Sequence, residues 1–339
     1  MSFLGNFDFD LLVSMGLVNG ISKVNKFGRN IDIDTGTTPE DIWDGGSTWT
    51  PPTAARIHDI ASSSANDAGT VVSSGTATGG STTTLIDTGA TFVTDGVAAG
   101  DTVIDDTTME HATVVTIDSE TQITTVATRH RTAFTSGDSY RVVTPASTGA
   151  TVLHIYGLDS SMLEQEEFIV LNGTSNVATV NTYYRIYRMH TDGAASRDDT
   201  NIGNLTATAQ TDGTVTAQVN AGNGQTLMAI YTIPSNKTAF ITQLKGSINR
   251  NGAATGAMAD LVLYEIPFAS VDGAGRRLEE YFSLAIEGTS FATIKFKPYK
   301  KIDSNTDLIV QCEGVTDNNT DISAGFDLYL VDNDLVPTG

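Results

Sequence analysis

Runs of five to eight residues in which apolar and polar side chains alternate recur along the 339-residue chain, and Gly, Asn and Asp punctuate them. A period of two places every second side chain on one face of a pleated strand, whereas a helix needs a period near 3.6. Thr, the commonest residue at 50 copies, and Val both suit a half-buried pleated surface. Strands are predicted at 113–125 (broken near Asp118), 150–156, 166–172, 225–233, 238–248, 259–266, 290–298, 306–312 and 324–331. Helical spacing is confined to 8–18, 38–43 and 159–165. A doubly wound parallel sheet, which needs a helix after most strands, is therefore excluded, and the chain reads as all-β.

Polar seams divide it. Ser62-Ser-Ser64 and Pro145-Ala-Ser-Thr-Gly149 bound a stretch dense in Thr, Ser, Gly and Asp that reads as successive hairpins. An insertion at an exposed loop explains both seams. The expected organisation is a multi-domain β-sandwich, jelly-roll-like: an extended N-terminal arm (1–52), a host sandwich (53–70 plus 144–224), an inserted small β-barrel lobe (71–143) and a C-terminal sandwich (225–339). The flanks 56–65 and 148–157 are expected to pair as a hairpin of the host. The apolar start, with Phe3, Leu4, Phe7, Phe9, Leu11 and Leu12 around Asp8 and Asp10, lacks the basic residues of a secretory signal and the length of a bilayer span. A short helix there docks either on a partner or on its own domain.

Charge removes further classes. With 19 Lys and Arg against 40 Asp and Glu the net charge is −21, which opposes binding to phosphate backbones or anionic lipid. Cys312 is the single cysteine, so no internal disulfide or cysteine zinc site exists, as expected of a chain assembled in a reducing compartment.

Catalytic motifs are missing: neither a Gly-x-Ser-x-Gly elbow nor a phosphate loop occurs, and Gly222-Asn-Gly224 lacks the third glycine of a dinucleotide turn. His58, His111, His130, His154 and His190 are scattered, with no His-x-His or His-x-x-x-His spacing. Alternation in Val152-Leu-His-Ile-Tyr156 sets His154 opposite Leu153 and Ile155, as a solvent-facing or partner-bonded side chain. Acidic pairs at Asp32/Asp34, Asp105/Asp106, Asp198/Asp199, Glu279/Glu280 and Asp317/Asp321 suit solvated turns better than a glycosidase, and 317–321 lacks the glycine and terminal glutamate of an EF-hand loop. No catalytic, cofactor or metal residue is assigned. Trp43 and Trp49, set among Gly and Pro, are read as anchors on a core or a neighbouring subunit rather than as sugar platforms. Arg276-Arg277 beside Glu279-Glu280 is expected on an exposed face, forming ion pairs between subunits.

Two segments, Asn25-Lys-Phe-Gly-Arg-Asn30 with Asp32-Ile-Asp-Thr-Gly36, and Pro39-Glu-Asp-Ile-Trp-Asp-Gly-Gly46, resemble the N-terminal signature of a group of tailed-bacteriophage virion proteins. The resemblance continues through Ile155-Tyr-Gly-Leu-Asp159, Val170-Leu-Asn-Gly-Thr174, 225–234 with Lys237-Thr-Ala239, and Asp321-Ile-Ser-Ala-Gly-Phe-Asp327. Within 71–143, Ser74-Gly-Thr-Ala-Thr-Gly-Gly80, Asp87-Thr-Gly-Ala-Thr-Phe92 and Phe134-Thr-Ser-Gly-Asp-Ser-Tyr140 look like a small β module carried by phage structural proteins. The resemblance implies a non-enzymatic virion protein made in the host cytoplasm: a decoration or cement protein on the capsid exterior, homo-oligomeric with a trimer favoured, and in contact with the major capsid protein. A tail or neck adaptor or fibre base, and a carbohydrate-binding adsorption module, are the alternatives. Lys26, Phe27, Arg29, Trp43 and Trp49 in the arm are the expected partner contacts.

Overall fold

The computed structural model describes residues 8–126, 132–145, 148–194, 200–250, 256–268, 275–288 and 290–337. The chain is all-β and forms two compact units.

The first unit joins residues 1–51 and 158–164 to 227–339. One antiparallel sheet has the order Ile21–Ile33, Thr320–Asp332, Lys237–Arg250, Phe291–Ile302, and a second has Ile230–Thr232, Thr306–Val315, Met258–Pro267, Arg277–Ala285, with Glu40–Asp41 pairing onto Thr306–Val315. The expected arm is thus no arm. Residues 21–33 form a full-length strand in register with Thr320–Asp332, Asn25 opposite Asp327 and Phe27 opposite Gly325. Its Gly28 is required by close approach: a Cβ there would lie 2.3 Å from both Ala229 N and Ile42 O. Arg29 locks the same pairing through a two-pronged bond to Asp321, Nε to Oδ1 at 2.9 Å and Nη2 to Oδ2 at 2.5 Å. Trp43 and Trp49, 3% and 5% exposed, complete the core with Met228, Ile230 and Ile309.

The predicted N-terminal helix shortens to Phe9–Ser14, capped where Asp8 Oδ1 accepts from Asp10 N at 2.9 Å. Its Phe9 ring meets Tyr329 of its own sheet edge-on at 5.7 Å, which places the helix on its own unit. Neither 38–43 nor 159–165 is helical. Glu40–Asp41 is a strand, and the Asp159 carboxylate accepts from Ser161 N and Leu163 N, closing a turn instead.

The second unit comprises 52–157 and 165–226. Residues 69–145 supply a seven-stranded sheet, order Gly69–Thr76, Ser139–Pro145, Thr102–Asp105, Glu110–Ser119, Gln122–Thr125, Thr84–Ile86, Gly79–Gly80. The three motifs of this lobe meet in its core: Phe92 packs with Tyr140 and Phe134, and Tyr140 Oη donates to Asp87 Oδ2 at 2.7 Å. Two further sheets follow, Glu164–Val170 with Ala150–Leu158 and Arg185–Ala194, and Val177–Ala178 with His58–Ser62, Leu205–Ala209 and Val215–Val219. The flanks expected to form one hairpin therefore belong to different sheets. Asp67 sits at the serine-rich seam, fully buried. Its carboxylate accepts from Ala150 N and Ile202 N on one oxygen and from Gly203 N and the Ser62 hydroxyl on the other, all between 2.5 and 2.9 Å.

Candidate functional site

The predicted contact residues divide by burial. Trp43 and Trp49 face the chain's own core, where the Trp43 indole donates to Ser47 O at 2.7 Å. They are closed to a partner and to stacking on a sugar, which leaves the carbohydrate-binding reading without a platform. Lys26 is buried as well. Phe27 remains 41% exposed and, with Arg29, lines a groove of about 220 Å³ on the first unit, together with Lys245, Gly246, Phe291 and Ala324. Phe291, on the opposite edge strand of the same sheet, is 60% exposed. Between these aromatics the outward rows of the two central strands pair Ser323 with Ser247 and Gly325 with Lys245. The groove thus lies between the two exposed aromatic side chains.

The acidic pairs serve structural roles. Asp105 closes a turn by accepting from Thr107 N and Thr108 N, and Asp106 grips Arg141 at 2.8 and 2.6 Å. Asp34 accepts from Asn319 N, and Asp321 belongs to Arg29. Asp198 and Asp199 lie outside the described residues, as does His130. The charge cluster expected to bridge subunits is satisfied within the chain: Arg276 lies over the Tyr264 ring and pairs with Glu313, Arg277 pairs with Glu265, and Lys300 reaches both Glu279 and Glu280. The Cys312 thiol is buried and its pKa is pushed up to about 12, chiefly by burial, so at neutral pH it is no nucleophile.

Side chains that sequence spacing leaves scattered meet in the second unit. Ala150–Leu158 carries His154 and Tyr156, its neighbour Arg185–Ala194 carries His190 and Asp192, and Glu164–Val170 on the other side carries Glu166 and Phe168. Each pair is spaced by two and so points to one face of its strand. His154 Nε2 lies 2.9 Å from Glu166 Oε2. The carboxylate can only accept, so this nitrogen carries the proton and Nδ1 keeps its lone pair, 3.0 Å from Tyr156 Oη and 3.9 Å from Asp192 Oδ2. His190 Nε2 lies 2.9 Å from the same Asp192 oxygen, and His111, from the lobe strand Glu110–Ser119, stands 3.8 Å from Asp192 Oδ1. Ligand atoms of His154, His190 and Asp192 fall within 4.8 Å of one another. Rings enclose the group: His154 lies 4.0 Å from Phe168 and 4.1 Å from Tyr156, and Tyr156 stacks on His190 at 5.5 Å.

Electrostatics follow from this packing. Burial, reinforced by neighbouring His190, pushes the His154 pKa down to about 4, leaving a neutral imidazole at physiological pH. Burial also raises the Asp192 carboxyl, but contact with His190 and the nearness of His111 and His154 outweigh it and hold the group below the usual carboxylate range. The prediction of a solvent-facing or partner-bonded His154 is met only in its second half. The side chain is 5% exposed and bonded to Glu166, because the sheet is covered on both faces.

Neither His-x-His nor the helical His-x-x-x-His spacing marks the cluster in the sequence. In an all-β chain the informative spacing also includes mixed pairs such as His190-Thr-Asp192, and the strand bearing that pair shows no clean alternation. No protein-family model matches the chain, and no curated protein or solved structure matches it either. Fold and site define a class only: a two-unit all-β protein with a groove on one unit and a histidine–carboxylate cluster in the other.

Proposed function

We propose that this chain is a non-enzymatic structural protein of a tailed-phage virion, a homo-oligomer seated on the capsid exterior that cements the shell, with a trimer as its favoured order. The observation that carries the reading is the groove between Phe27 and Phe291. Exposed aromatic walls on either side of the groove suit insertion of an apolar side chain from another protein, while Arg29 and Lys245 are already paired with Asp321 and Asp327. The occupant is read as another copy of the chain, whose surface also exposes large apolar side chains. Contact between unlike patches closes into rings or trimers when the rotation allows. The phage-like segments 25–46 and 321–327 contribute both the strand that holds Phe27 and the strand beside it.

Mass analysis of purified particles tests the reading. Hundreds of copies per particle are expected. Absence overturns it, and six or twelve copies assigns the chain to the tail or neck instead. In the full chain, Phe27→Asp combined with Phe291→Asp is expected to convert the oligomer to monomer in light scattering, with a melting temperature within about 2 °C of the parent, because exposed substitutions shift stability little.

A further inference from the structure

We propose that His154, His190 and Asp192 bind one divalent transition-metal ion of the zinc class, with Glu166 orienting His154 from behind and His111 of the inserted lobe standing 3.8 Å from the second oxygen of Asp192. The ligand set is two imidazoles and a carboxylate, the borderline nitrogen–oxygen donors that suit Zn²⁺ or Co²⁺ rather than Ca²⁺ or Mg²⁺, which take oxygen alone. Donor atoms on a tetrahedral ion with bonds near 2.1 Å stand about 3.4 Å apart. The contacts on Asp192 Oδ2, 2.9 Å from His190 and 3.9 Å from His154, bracket that separation.

Two observations point to a ligand beyond the proximity of these groups. Asp192 Oδ2 and His190 Nδ1 are shielded from solvent and lack a well-aligned hydrogen bond; Oδ2 has only the 2.9 Å contact with His190 Nε2, so the carboxylate oxygen at the centre of the cluster keeps lone-pair capacity for an ion. The Glu166–His154 contact also fixes the tautomer in which Nδ1 is the acceptor, the carboxylate–histidine arrangement that commonly supports a metal ligand; its lone pair takes the Tyr156 hydroxyl at 3.0 Å, a bond that an ion would replace. Tyr156 Oη lies beside the same nitrogen, where it or a water would complete the coordination. Because His154 and His190 sit on adjacent host strands and His111 on a lobe strand, the ion would tie the lobe to the host sheet through Asp192.

The experiment uses the full chain, stripped with EDTA and dialysed against zinc. One zinc per chain is expected by elemental analysis, with a rise in melting temperature of about 5–10 °C at a hundredfold excess over the dissociation constant, and no such rise with calcium or magnesium. Co²⁺ should give the visible absorption of a four-coordinate nitrogen–oxygen site. His190→Gln and Asp192→Asn should each weaken zinc binding at least 100-fold, and Glu166→Gln 10- to 100-fold, in proteins whose metal-free melts match the parent's; His58→Gln should bind as the parent does. Zinc should slow hydrogen exchange across 110–119. A folded parent that retains no zinc, or parent-like binding in both His190→Gln and Asp192→Asn, overturns the site; unchanged exchange across 110–119 overturns the link to the lobe.

Discussion

Two buried ionisable residues set opposite pH dependences. His58, in the second unit, donates from Nδ1 to Arg56 O at 3.0 Å, and burial pushes its pKa down to about 4. The unfolded chain takes up a proton near 6.5 that the folded chain refuses, so this contribution is full above pH 6.5 and is lost as pH falls toward 4. Asp41, in the first unit, accepts from Trp49 N and Gln311, yet burial pushes its pKa up to about 6. The folded chain here holds a proton that the unfolded one has released, so the contribution is present below pH 4 and is lost as pH rises through 6. Each shift of about two units is worth roughly 3 kcal/mol. Denaturant melts between pH 4 and 7 should show that His58→Gln removes an acid-side loss and that Asp41→Asn removes a gain. Asp67 gives a second residue-scale prediction. Asp67→Ala strands two buried N–H groups, a part-buried one and a hydroxyl, and should cost about 3–5 kcal/mol in urea unfolding of the second unit.

At the scale of elements, the N-terminal segment is expected to be indispensable. Removing residues 1–52 takes away the strand Ile21–Ile33 and two core indoles, each worth about 3–5 kcal/mol, so the first unit should lose its near-ultraviolet circular dichroism and resistance to protease. The lobe behaves differently. Thr70 and Thr144 are cross-strand partners, so excising 71–143 and joining them through Asn-Gly closes the chain without reaching. The product should melt cooperatively but at lower temperature, because Val152 and Phe168 lose the cover of Ile104 and Val143. Alternation made most strands legible: 238–248, 259–266, 306–312 and 324–331 each fall inside an observed strand. It failed for Arg185–Ala194, where Arg185, Ile186 and Met189 are all buried, so both faces are covered and no period of two shows. It failed for 21–33 for another reason. Polar Asn25 and Arg29 look like a solvated arm until Asp327 and Asp321, some 300 residues away, are placed beside them.

For the whole molecule, the net charge of −21 opposes association with phosphate backbones. No helix among the described residues is long and apolar enough to cross a membrane. Composition and periodicity by themselves determined that the chain is all-β and that it carries no internal disulfide. These properties are set by neighbours in sequence, through strand propensity and turn chemistry. Only the tertiary structure decided that residues 21–49 complete a core rather than reach for a partner, that Phe27 faces Phe291 across a groove, and that three separated histidines gather around Asp192. Each depends on strand order and register between segments far apart in sequence, and a period of two says which face a side chain takes but not which strand lies beside it.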